Sequence, residues 1–224
     1  MSSVSTGVAS RLSAHRYAVL FYTLLVTLAV SPLLTALGFS ADLLQIFLAF
    51  SLLVAVIDVS GGRGRTLLLL VAAIAVGLRI APASTVGARL EGGALVVAGG
   101  LALFAVARTM RFALRAPVIA DEHIYAALSA YLLAGLAFGL LYWDIETVWP
   151  GSFGEAGSGG APAAFRLSTA VYYSFVTLAT LGYGDVVPKS EVARGLAVLE
   201  AVGGQLYIAV TIARLVSAQR SAAR

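Results

Sequence analysis

Residues 171–188 read VYYSFVTLATLGYGDVVP, and the fold turns on how this run is read. Gly182 and Gly184 stand one residue apart, after an apolar and aromatic stretch that ends in Thr180. An extended L-peptide points successive carbonyls to opposite sides. A one-sided row of carbonyls therefore needs left-handed backbone at some positions, which glycine adopts at no steric cost. Such a row, closed into a ring, replaces the hydration shell of a monovalent cation without placing full charges beside it. Thr180 adds a hydroxyl oxygen at one end, and Asp185 puts a carboxylate near the other. A glycine-rich surface turn is the plain alternative. The apolar run before the motif and the long apolar span after it argue instead for a membrane setting, where non-helical backbone persists only if buried in protein or lining a watery cavity.

Composition agrees. The chain is 60% hydrophobic and only 12% charged over 224 residues, with a mean hydropathy of +0.94. A soluble domain carries about 25% charged residues, so the sequence predicts an integral membrane protein in a lipid bilayer. With no cysteine, neither disulfides nor thiolate metal sites arise. Six apolar stretches are near the length that crosses a bilayer: 17–37, 41–59, 66–81, 92–110, 124–143 and 193–217. The third and fourth are near the lower limit, so either is open to being tilted, re-entrant or partly helical. The basic segment 1–16 followed by 17–37 has the outline of a signal peptide. Its apolar run is longer than an h-region, however, and no small-x-small cleavage site follows it, so it reads as a retained first helix. The stretch 167–179 is too short to cross but long enough for a helix of about half a bilayer. Asp121 is placed to cap the fifth span, and 144–165 reads as a Gly/Ser/Pro-rich outer loop, the one segment expected to be flexible.

The aromatic pair Tyr172 and Tyr173, the Ser-Phe step, Thr177, Thr180, Gly182-Tyr183-Gly184, Asp185 and Pro188 together resemble the pore signature of tetrameric potassium channels. The resemblance is specific over 171–188, weaker over the flanking helices, and absent as sequence before Arg108. It implies an all-α membrane protein of six transmembrane helices, with a re-entrant pore helix and selectivity filter between the fifth and sixth. The implied divisions are a cytoplasmic segment 1–16, a four-helix bundle 17–115, a pore module 116–217 and a cytoplasmic tail 218–224. The implied activity is passive, potassium-selective conduction, not enzymatic turnover. The ion would bind oxygens of Thr180, Leu181, Gly182, Tyr183 and Gly184, with K+ as permeant ion and no cofactor. Leu181 stands where the family usually has valine; its side chain is expected to pack outward and leave conduction intact. Because one chain offers one copy of the motif, the resemblance and the need for a closed ring together imply a homotetramer.

Supporting residues follow from the same alignment. Tyr172 and Tyr173 are expected to form a cuff behind the filter or to be plain interfacial tyrosines, with Tyr173 the partner for Asp185. Glu200, an ionisable residue inside a membrane span, is placed near the back of the pore helix, to brace it by a hydrogen bond or to respond to pH. Gly203 and Gly204 fit either a gating hinge or close helix packing. Arg108, Arg111 and Arg115 cluster at one end of the fourth span, as an interfacial anchor does, and not along its body as a voltage sensor requires. With the N-terminus inside, ten basic residues lie on the inner side against five outside, which orients both termini to the cytoplasm; the resemblance implies a bacterial inner membrane. His15 and His123 have no metal-ligand partner at useful spacing. No phosphate-binding loop, H-E-x-x-H or nucleophile elbow occurs, and the basic balance is explained by topology without a nucleic-acid partner. The short 218–224 tail is expected to hold no ligand-sensing domain, so gating is expected to come from the bundle, the membrane, pH, a partner or the filter itself. A weakly selective cation channel is the nearest alternative. A secondary transporter is more distant, since it would need a second interrupted helix for which only Gly99-Gly100 offers itself.

Overall fold

The computed structural model describes residues 15–36, 100, 103–114, 120–155 and 165–222. The expected spans 41–59 and 66–81, most of 92–110, Arg115, segment 1–14 and loop residues 156–164 lie outside the described residues. The described part is mostly helical. Its elements are α1 (Arg16–Ala36), α2 (103–114), α3 (Asp121–Val148), β1 (Phe153–Glu155), α4 (Leu167–Leu178), β2 (Val186–Pro188) and α5 (Glu191–Ala222). Two of them, α3 and α5, are long and apolar enough to cross a membrane. The short α4 has 12 residues, or about 18 Å at the helical rise, against about 30 Å of hydrocarbon.

α1 buries Tyr17, Leu20 and Leu24 against Ala126, Leu133, Leu136 and Leu140 of α3, a stripe at helical spacing. The α1 N-terminus is capped from another helix: the Tyr17 N–H donates to Glu122 Oε2 at 3.1 Å. Glu122 Oε1 lies 3.8 Å from His15 Nδ1. The Tyr17 ring stacks on Phe112 of α2 at 4.5 Å, and Phe112 stacks on His123 at 4.8 Å. Asp121, expected as the cap of α3, is its first helical residue instead. Ala120 takes the cap position, and its N–H donates to His123 Nδ1 at 3.1 Å.

Helices α3, α4 and α5 approach closely because glycines leave the space. A Cβ built on Gly139 of α3 would meet Val171 Cα at 2.8 Å, and one on Gly135 would meet the Phe175 ring at 2.6 Å. On α5, a Cβ at Gly204 would meet Leu178 Cδ1 at 2.7 Å and Leu178 O at 3.0 Å. α4 thus lies in backbone contact with both long helices.

Two expectations need correcting. The fold is not purely α: β1 and β2 form an antiparallel pair with Phe153 opposite Pro188 and Glu155 opposite Val186. A three-residue strand is too short to show a two-residue alternation in sequence. Nor is 144–165 one irregular loop. α3 continues to Val148, the turn after it is closed by Glu146 accepting the N–H groups of Gly151 (2.8 Å) and Phe153 (2.9 Å), and β1 follows. α5 is capped by Ser190, whose Oγ accepts the Ala193 N–H at 3.3 Å, and runs without interruption from Glu191 through Gly203 and Gly204 to Ala222.

Candidate functional site

The segment between α4 and β2 has alternating backbone handedness. Thr180, Gly182 and Gly184 have φ of 57°, 58° and 78°, whereas Leu181 and Tyr183 stay at negative φ. The glycines adopt this conformation freely. Thr180 does not: among the described residues it is the one non-glycine at positive φ, at a cost of about 1–2 kcal/mol. Sequence reading assigned the left-handed positions to the glycines and missed Thr180.

The amides show what holds it. The Thr180 N–H donates to Thr177 O at 3.0 Å, and those of Leu181 and Gly182 both turn back onto Val176 O, at 2.9 and 3.4 Å. These acceptors are end carbonyls of α4, which have no helical donor of their own. All peptide bonds here are trans, and in a trans peptide the C=O opposes the N–H. The carbonyls of Thr180 and Leu181 therefore both point away from α4, which is the one-sided arrangement inferred from the sequence. Residues 179–185 are exposed in the isolated chain, including Leu181 at 57% and Tyr183 at 66%.

Asp185 closes the C-terminal end of the segment. Its Oδ2 accepts the Tyr172 hydroxyl at 2.8 Å and its Oδ1 accepts the Val186 N–H at 2.9 Å. The Tyr172 hydroxyl, and secondarily the backbone N–H, hold the Asp185 carboxyl below the usual carboxylate range. The expected partner was Tyr173. That residue faces the other way, into a cluster with Tyr142 (5.0 Å, edge to face) and Phe153 (5.3 Å), against which Phe165 stacks. Its hydroxyl shares a hydrogen bond with Thr177 one turn along α4. β2 is fixed by its pairing with β1 and by the Lys189 N–H, which donates to Ser152 O at 2.7 Å.

Glu200 lies fully buried behind α4. Its Oε2 is 2.5 Å from the Tyr142 hydroxyl and its Oε1 is 2.5 Å from Ser174 Oγ, which also lies 2.6 Å from Gly135 O. The expected bond from Glu200 to the short helix α4 is present, and the contact extends to α3 as well. Ser174 and Tyr142 were not singled out from sequence. Ser174 sits inside the quoted run, and its position as a polar residue in an apolar helix was the available signal. Gly204 packs against Leu178, while a Cβ on Gly203 would meet nothing within 4 Å.

Two helices of membrane-crossing length flank a short helix of half that span, which leads into glycine-punctuated backbone with the Thr180 and Leu181 carbonyls on one side. Residues 127–220 match the family model described as an ion channel. Over that span the chain is similar to the ion channel family. No curated protein and no solved structure matches the chain.

Proposed function

We propose that this protein is a potassium-selective channel, conducting K+ passively through a pore shared by four copies. The observation that carries this reading is the pair of successive carbonyls, Thr180 and Leu181, held on one side of the backbone by amides bound to Val176 O. Continuing the alternation of φ through Gly182 and Gly184 extends the row, so that oxygens of Thr180, Leu181, Gly182, Tyr183 and Gly184 ligate dehydrated K+. Asp185, Tyr172, Tyr173, Thr177 and Glu200 support the row from outside it. A single row supplies one side of a cage. The exposure of 179–185 together with the apolar face of α5 (Val198, Leu199, Val202 and Leu206, each more than half exposed) supports closure by other copies.

In this reading 17–115 form a four-helix bundle around a pore module at 116–217, and both termini, 1–16 and 218–224, face the cytoplasm of a bacterial cell. The test is flux from liposomes containing the purified chain, with K+ compared against Na+ under a set gradient. Flux in K+ alone, blocked by barium, is the expected result. Equal flux in both ions would replace the reading with a weakly selective cation channel. Accumulation of a solute against its gradient would replace it with a transporter.

A further inference from the structure

Ser174, Glu200 and Tyr142 meet Gly135 where α3, α4 and α5 converge. Three oxygen–oxygen contacts join them: Tyr142 Oη to Glu200 Oε2 at 2.5 Å, Glu200 Oε1 to Ser174 Oγ at 2.5 Å, and Ser174 Oγ to Gly135 O at 2.6 Å. Each is at hydrogen-bond length, so each needs a proton. Tyr142 brings one and Ser174 brings one, while the Gly135 carbonyl brings none. The single Ser174 proton serves either Gly135 O or Glu200 Oε1, not both. With Glu200 as a carboxylate, one of the three contacts sets two acceptor oxygens against each other in the interior. A proton on Glu200 Oε1 completes the set: Glu200 donates to Ser174, Ser174 donates to Gly135 O, and Tyr142 donates to Glu200 Oε2.

Charge leads to the same answer. The titratable groups facing Glu200 are Tyr131 and Tyr142 on α3 and Tyr173 on α4, beside the Ser174 hydroxyl. Among the described residues no cation faces it. Tyr142, Ser174 and Glu200 are all fully buried. A carboxylate in that position would be a buried charge without a counter-ion, which proteins avoid.

We propose that Glu200 is a neutral carboxylic acid, acting as a hydrogen-bond donor that positions the pore helix between the two long helices. Ser174 and Tyr142 are the other members of the latch. Removing the Glu200 proton breaks the chain of donors at Ser174 and puts a negative charge behind the filter. Support of the filter is then lost at alkaline pH. The protonation state stands on the geometry alone, while the effect on flux rests on the channel reading above.

The test is infrared spectroscopy of the full chain in lipid, with glutamate carboxyls isotopically labelled, read beside K+ flux across a pH series. Glu200→Gln supplies an N–H donor for Ser174 and a carbonyl acceptor for Tyr142, so it copies the acid and does not titrate. At neutral pH the wild type is expected to show a protonated-carboxyl band that Glu200→Gln removes. Raising the pH removes the band and the flux together. Glu200→Gln keeps flux within about twofold of wild type and no longer loses it in alkali. A Glu200 signal found only as carboxylate at neutral pH overturns the proposal. So does a folded Glu200→Gln protein that loses flux tenfold while Glu200→Asp keeps it. If the wild type conducts nothing, the channel reading fails and the infrared band still decides the protonation.

Discussion

Replacing Gly139 by alanine tests the contact that seats α4 against α3. The added Cβ would lie 2.8 Å from Val171 Cα, 2.9 Å from its Cγ2 and 3.2 Å from its N. Two of these atoms are backbone, so no rotamer change relieves them. Reaching ordinary contact at about 3.4 Å requires α3 and α4 to separate by about 0.6 Å. Overpacking of this kind costs about 1–3 kcal/mol. The gain in helix propensity on replacing glycine offsets about 1 kcal/mol. The net effect is a loss of up to about 2 kcal/mol, with the base of the filter displaced because α4 leads directly into Thr180. Gly203→Ala, whose Cβ meets nothing within 4 Å, brings the propensity gain without the clash and serves as the control. Thermal unfolding of the detergent-purified protein should put Gly139→Ala several degrees below wild type and Gly203→Ala at or above it, with K+ flux reduced only in the first. A Gly139→Ala protein as stable and as conductive as wild type would refute backbone contact between these helices.

Gly204→Ala separates packing from hinging. It meets Leu178 O at 3.0 Å, so packing predicts that it lowers stability while Gly203→Ala does not, whereas a hinge at the pair predicts that both alter opening without altering the melting temperature. Gly182→Ala places a side chain at φ 58° with open space around it. It should leave the fold intact, strain the filter backbone by about 1–2 kcal/mol and abolish selective flux. Asp185 has a lowered carboxyl pKa in the folded state. Its contribution to holding residues 180–185 in place is therefore full above the unfolded value and is lost as pH falls through the folded one. Tyr172→Phe removes the main cause of the lowering, so the acid loss of flux should begin at a higher pH than in wild type.

Much of the site was legible because its chemistry sits in backbone that only certain residues tolerate. Gly182 and Gly184 announced left-handed positions, and the apolar spans on either side placed them in a membrane. Thr180 was not legible as a third such position. Its conformation is imposed by the amides of Thr180, Leu181 and Gly182 folding back onto Val176 and Thr177, an arrangement that exists only once α4 has ended. The choice between Tyr172 and Tyr173 as partner of Asp185 was equally closed to sequence. Adjacent helical residues point about 100° apart, and the rotation of α4 is set by Gly135 and Gly139 on another helix. Glu200 was recognisable as an intramembrane acid, and its bond to the pore helix was foreseen. The third member of the latch, Tyr142, lies 58 positions away in sequence and follows from helix packing alone. β1 carries no readable pattern because its strand is defined by its partner.

The orientation of the backbone at 180–182 sets a last requirement on the proposed assembly. Within one chain the N–H side of Thr180, Leu181 and Gly182 is bound to α4, while the carbonyl side of Thr180 and Leu181 faces away from the protein. Closing four copies over these residues removes the carbonyls from bulk water, and a buried backbone oxygen without a partner is costly. The proposed assembly needs an ion on its axis to be at its most stable. Ligand binding to the folded state alone stabilises by RT ln(1 + [L]/Kd), about 2.7 kcal/mol at one hundred times Kd. The melting temperature of the purified protein should therefore rise with K+ at constant ionic strength, and Na+ should not substitute for it. Gly182→Ala should flatten that dependence while leaving the helical content unchanged by circular dichroism. A melting temperature indifferent to the choice of K+ or Na+ would mean that the carbonyl row does not hold dehydrated K+.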